Sequence, residues 1–188
     1  MKRASSVGRR QAGFTMIEVL VTLVILLIGL LGLAALQSRA QVLETESYQR
    51  TQALVLLRDM ASRINANRAV AATYVTGTST PLGKGSTKDC SAPASTTDRD
   101  LCDWDAALKG ASETASGTQV GAMIAARGCV TSPAADTYLV EVVWQGMAAT
   151  TPPPASVVCG KDLYGSGVGI DDSLRRAVTT VVQIGNLN

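Results

Sequence analysis

From Phe14 to Leu36 the chain is apolar on every side of a helical wheel, with one ionisable residue, Glu18. A run of roughly 23 residues, at about 1.5 Å rise each, spans the ~30 Å hydrocarbon core of a bilayer. After Gln37 the pattern becomes amphipathic. Leu54, Leu57, Ala61 and Ile64 recur at spacings of three and four, and Ala53, Leu56 and Met60 widen the stripe. Glu46/Arg50 and Asp59/Arg63 stand four apart with the acid first, the better order for a helical ion pair. No proline precedes Pro81, so nothing forces a kink. Residues 14–72 therefore read as one long helix: an apolar part, 14–36, and an amphipathic part, 37–72. The stripe on 53–64 is expected to dock on the protein's own head; the other reading is a seam for a partner helix. Gly29 and Gly32 weaken the helix by about 1 kcal/mol each relative to Ala and could admit a neighbouring helix closely.

Residues 73–188 read as a globular head. The first part, 73–99, is rich in Thr, Ser, Gly, Pro and Lys and reads as an exposed loop. DLCDWDAALKG, from Asp100 to Gly110, reads as a short helix with Trp104 and Leu108 on one face. In 111–127 only Val120, Met123 and Ile124 look buried. Tyr138–Trp144 alternates, placing Tyr138, Val140, Val142 and Trp144 together. Gly128–Thr131 and Ser156–Cys159 are shorter strand candidates, and Arg175–Ile184 is the last, with Val178, Thr180, Val182 and Ile184 aligned. Pro152-Pro153-Pro154 marks a connection. The expected fold is α+β: a long N-terminal helix whose second half packs on a small antiparallel sheet of three to five strands.

Composition adds three constraints. The 188 residues contain 17 basic and 15 acidic side chains, which gives no nucleic-acid signal. There is no histidine, which removes the commonest general base and metal ligand. Four cysteines, Cys90, Cys102, Cys129 and Cys159, all follow the apolar run, as disulfides of an exported domain would. Three pairings are possible; Cys90–Cys102 with Cys129–Cys159 is favoured because sequence neighbours close most easily. A four-thiolate zinc site is the alternative, but no C-x-x-C spacing supports it.

The N-terminus carries the most specific signal. Residues 1–13, MKRASSVGRRQAG, are short, basic and polar, and their charge assigns them to the cytoplasmic side. Gly13-Phe14-Thr15-Met16-Ile17-Glu18, behind that leader and ahead of the apolar run, resembles the start of type IV prepilins, the class of pilins and type II secretion pseudopilins. The resemblance implies removal of the leader peptide by a prepilin peptidase between Gly13 and Phe14, and N-methylation of Phe14. It also implies that Glu18 registers the subunit against its neighbour in a helical filament. Losing Lys2, Arg3, Arg9 and Arg10 leaves 13 basic against 15 acidic side chains, a net charge of −2. Physical chemistry supports part of this. A carboxylate in an apolar seam is stabilised by a reachable cation, and cleavage would create an α-amino group close to Glu18. The plainer reading is that Glu18 snorkels to the headgroups from a helix end. Major pilins commonly carry a proline in the apolar half, and this chain departs from that pattern. The order DLCDW, TYLVEVVW, RRAVTTVVQI is more loosely similar to minor pilins of the PilV type, which act in pilus initiation and presentation.

The remaining motifs give no case for an enzyme, a cofactor or a resident metal. Asp98, Asp100, Asp103 and Asp105 lack the spacing, glycine and terminal Glu of an EF-hand loop, and read as helix capping and solvation. The Gly165–Asp172 loop reads as a turn, with a calcium site through Asp171 or Asp172 as the functional alternative. Arg175-Arg176 could touch DNA, but reads as strand exposed to water. The expectation is a minor pilin held by one span in the inner membrane with its head in the periplasm, then moved into a pilus that serves twitching motility. Its partners would be the peptidase, major and minor pilins, and a tip adhesin. The alternatives are a minor pseudopilin of type II secretion, or a membrane-anchored periplasmic enzyme or binding domain whose leader match is accidental. A conventional signal cut after Ala34-Ala35 would instead release a soluble protein.

Overall fold

A computed structural model describes residues 13–111, 114–115, 118–119, 123–165 and 171–185. The chain divides into two compact units, Met1–Leu43 and Glu44–Asn188. Helix α1 spans Met16–Ala66. Up to Leu36 its residues are mostly leucine, valine and isoleucine, on every side, and positions 16–41 are all exposed. This is the one helix among the described residues long and apolar enough to cross a membrane. Among the described residues of its own unit nothing covers this apolar surface.

The second unit is a layered head. Residues 44–66 of α1 pack on a four-stranded antiparallel sheet of β1 (Leu82–Gly83), β4 (Arg127–Ala134), β5 (Thr137–Gln145) and β6 (Arg175–Gln183), in the order β1-β4-β5-β6. A second helix, α2 (Thr96–Leu108), packs against β1 and β4. A separate two-stranded ladder joins β2 (Thr114–Ala115) to β3 (Thr118–Gln119). The α1 stripe is centred on Ala53, Leu57, Met60 and Ile64, all buried; Leu54, Leu56 and Ala61 flank it half-buried. Gln49 continues the same line and is buried too, a polar residue that apolar periodicity overlooks.

The alternation in β5 has the expected result. Tyr138, Val140, Val142 and Trp144 face α1, joined by Val130 of β4 and Val182 of β6. The other sheet face is also buried, over Cys129, Val143, Cys159 and Tyr164. The connection from β5 to β6 folds back over that face, so β5 is covered on both sides.

Several expectations need correction. The α-helix stops at Ala66, and a 3-10 helix, Arg68–Tyr74, follows in place of a continuation to residue 72. Asn67 at the junction has a non-helical backbone and binds Tyr74 Oη at 2.7 Å through its side chain. Residues 73–99 are not simply an exposed loop: Tyr74 and Leu82 are buried, β1 lies there, and α2 starts at Thr96 under an Oγ cap from Ser95. Ser156–Cys159 is a turn, held by Val157 N–H to Pro154 O at 2.9 Å, because the three prolines hold the chain out of the ladder. Met123 is buried but Ile124 is exposed, and Val120 lies outside the described residues.

Candidate functional site

Gly13, Phe14 and Thr15 precede the helix in non-helical backbone, so the Gly13–Phe14 peptide is free of the helical hydrogen-bond ladder. Phe14 is exposed, and a side chain at position 13 would meet nothing within 4 Å. Thr15 caps the helix. Its carbonyl accepts from Glu18 N–H at 3.1 Å and Val19 N–H at 3.3 Å, and its Oγ1 accepts from Glu18 N–H at 3.3 Å. Thr15 and Glu18 thus have the spacing of a capping box, with Glu18 in the first helical turn where the helix dipole favours an anion. Glu18 is the acidic residue of that turn, one helical turn from Phe14. The T-x-x-E spacing was available in the sequence and gives Glu18 a local role that its apolar neighbours hide. Of the leader, residues 1–13, only Gly13 is described; residues 1–12 lie outside the described residues.

The head's candidate groups serve packing. Cys90 is bonded to Cys102 and Cys129 to Cys159. The Asp-rich segment is not merely solvated. Asp100 accepts from Arg63 at 2.7 Å, from Asn67 at 3.3 Å and from Tyr74 Oη, tying α2 to the end of α1. Burial disfavours the Arg63 charge, but the bonds to Asp100 and Asp59 outweigh it and hold the guanidinium above its usual pKa. Burial, then Asp100, pushes the Tyr74 phenol up. Asp105 is buried, accepts Gly83 N–H at 2.7 Å and pairs with Lys109 at 2.5 Å. Asp98 is half-buried, and Lys88, then Ser95, hold its pKa below the usual carboxylate range.

Arg175 and Arg176 are not a water-exposed pair. Arg175 is 2% exposed, lies 3.0 Å from Asp172 and donates to Val157 O at 2.7 Å and Cys159 O at 3.1 Å. Arg176, half-buried, reaches Glu46 at 3.3 Å and Ala148 O at 2.6 Å. Glu46 therefore turns to the sheet, accepting Met147 N–H at 2.9 Å as well, in place of the helical partner Arg50. Of the calcium candidates, Asp172 is buried against Arg175 and accepts Asp162 N–H at 3.0 Å, while Asp171 accepts Ser173 N–H at 3.0 Å. Positions 166–170 of that loop lie outside the described residues.

Sequence reasoning passed over Glu141. It stands on β5 directly opposite Cys129 and Thr179, fully buried, with no hydrogen bond of ordinary geometry to either oxygen. Burial pushes its pKa up, against the opposing pull of Cys159 N–H, the Arg175 charge and Val158 N–H. An acid at an odd position within alternating valines was the available signal.

The combination of a capped apolar helix, a free peptide bond before it and a helix-on-sheet head defines the class. Residues 8–34 match the model of the prokaryotic N-terminal methylation motif, and residues 35–107 match a family model described as type IV pilin Tt1218. No curated protein and no solved structure matches the chain. Together the two matches support a type IV prepilin, and a long helix packed on a four-stranded antiparallel sheet is consistent with the fold of that family. The second match ends at the last turn of α2, so β4, β5 and β6 lie beyond it.

Proposed function

We propose that this protein is a minor type IV pilin, cut by prepilin peptidase between Gly13 and Phe14, methylated on Phe14, and incorporated into a pilus whose assembly it helps to initiate. The observation that carries this reading is the non-helical Gly13–Phe14 bond one helical turn ahead of Glu18, at the head of an apolar helix whose positions 16–41 are all exposed. Before assembly, residues 14–36 hold the chain in the inner membrane with the head, 73–188, in the periplasm; afterwards the head is displayed on the pilus. The apolar helix passes from lipid into a bundle of like helices, so one sequence serves two apolar surroundings in turn. Glu18 then meets the new amine on Phe14, of its own chain or the next. The mechanism is assembly rather than turnover, and the partners are the peptidase, other pilins and a tip adhesin.

A minor pseudopilin of type II secretion is the second reading, because the methylation motif and apolar helix serve both systems equally. Mass spectrometry of the native N-terminus, in cells with and without the peptidase, tests the first step: methylated Phe14 is expected, and any other mature terminus defeats the reading. Loss of twitching on deletion, with secretion intact, separates the pilus from the pseudopilus.

A further inference from the structure

The connection from the 3-10 helix to α2 carries only the two residues of β1, yet it is held along its length. Thr76 and Gly77 donate their N–H groups to Val130 O at 3.0 and 3.1 Å. Gly83 N–H reaches Asp105, Lys84 N–H reaches Ala126 O at 2.8 Å, and Lys88 Nζ reaches Asp98 at 3.1 Å. Cys90–Cys102 then fixes the chain to α2. A loop strapped this firmly to a scaffold is the usual mounting of a binding site.

Between this strap, Asp98 and Leu101 of α2, and Arg127 of β4 lies a groove of about 690 Å³. That volume is within the ~300–1,000 Å³ typical of small-molecule sites. Ser79, Thr80, Ser86 and Thr87 bring hydroxyls to it, over a floor that includes Leu82 and Leu101. Three cations line it, Lys84, Lys88 and Arg127, against one carboxylate, Asp98. Lys88 neutralises Asp98; Arg127 stacks over Tyr164 at 4.9 Å and spends Nη1 on Ala125 O. The Lys84 ammonium has no acidic partner among the described residues.

We propose that this groove binds an acidic oligosaccharide, a short chain of uronate sugars. Hydroxyls both donate and accept, so a wall of Ser and Thr matches a ligand that does the same; a polyol does, and a phosphate offers acceptors almost alone. Among the described residues no aromatic side chain lines the groove, so neither a nucleobase nor a sugar face has a ring to stack on, and the ligand is held by hydroxyls and charge. The unneutralised Lys84 calls for an anionic group on the ligand, and a sugar carboxylate supplies one. Such a site would give the displayed head a surface to grip.

The oxidised head from Glu44 onward, which contains its whole core, is titrated calorimetrically with trigalacturonate, maltotriose, inorganic phosphate and hexathymidylate. Trigalacturonate is expected to bind, more weakly as salt rises, and Lys84→Glu to weaken it by about tenfold or more. Lys84 is exposed, so the variant should melt with the wild type; if it does not, Lys84→Gln gives the decisive measurement. The proposal is overturned by no binding of trigalacturonate, by equal binding of maltotriose, inorganic phosphate or hexathymidylate, or by undiminished binding in the Lys84 variants. Binding by the head alone does not depend on peptidase processing, so this outcome is separate from that of the pilin reading.

Discussion

The indole N–H of Trp104 donates to the main-chain carbonyl of Leu56 at 3.0 Å, joining α2 to the middle of α1. The edge of the same ring, at Cη2 and Cζ3, stands against Gly128 of β4, where a Cβ would overlap those atoms and Leu108 Cδ1. One side chain thus touches both helices and the sheet, and glycine at 128 makes room for it.

Two substitutions should separate these contacts. Trp104→Phe keeps most of the ring but gives up the bond to Leu56, and should cost about 1–2 kcal/mol. Gly128→Ala forces the indole outward and should cost about 1–3 kcal/mol by overpacking. Urea denaturation of the head measures both. Combining the two should cost less than their sum, because both act through the same ring.

Much of this arrangement is legible in the sequence because it follows period. The α1 stripe and the alternation in β5 lie on a single face each, and the apolar run needs no partner to be recognised. What stayed hidden depends on residues far apart in the chain. Glu46 has a good helical partner four residues on, and only the sheet brings Arg176 close enough to win it. Arg175 is adjacent to Arg176, yet the pleat sends it to the opposite face, where the β5–β6 connection closes over it. Asp100 reads as a surface acid until Arg63 and Tyr74 arrive from the end of α1. Periodicity cannot report such pairings, because none repeats. The capping box at Thr15 was legible, being local, and needed only the T-x-x-E spacing.

Glu141 should make the head more stable in mild acid. An acid held above its unfolded-chain pKa binds its proton first in the folded state. Its contribution is therefore best below the ordinary Glu value of 4.5 and is lost as pH rises from there through the raised folded value. Glu141→Gln removes the buried charge and leaves Arg175 its contacts with Asp172, Val157 and Cys159. The variant should gain about 1–2 kcal/mol near pH 7, shrinking toward zero near pH 4. Thermal melts across that range check both the sign and the convergence. A loss at pH 7 would mean that the Arg175 attraction outweighs burial.

The bond between Cys129 and Cys159 pins the covering connection to the sheet above Glu141. It closes a 30-residue separation, for which the chain-entropy model gives about 3–4 kcal/mol. The double change Cys129→Ala, Cys159→Ala should cost roughly that amount. It should also admit water to Glu141 and flatten the pH dependence described above. Cys90–Cys102, with a separation of 12, joins the strap to α2 and does not hold the connection over Glu141. Its removal should destabilise by about 3 kcal/mol but leave the pH profile unchanged. Melting curves of the two double variants at pH 4 and pH 7 make the comparison.

Two roles proposed for Glu18 can be told apart: closing the first helical turn, and meeting an amine at the start of the same or the next chain. Capping needs a side-chain acceptor, which glutamine keeps, whereas charge pairing needs a carboxylate. Glu18→Gln should therefore retain helix content in detergent micelles while sharply reducing incorporation into filaments. Thr15→Ala should show the reverse, losing about 1 kcal/mol of helix stability at its first turn with incorporation largely kept. Circular dichroism reads the first quantity, and immunoblots of sheared pili read the second. If Glu18→Gln enters filaments as well as the wild type, the acid is a capping residue, and registration must rest on the apolar surface of residues 14–36 alone.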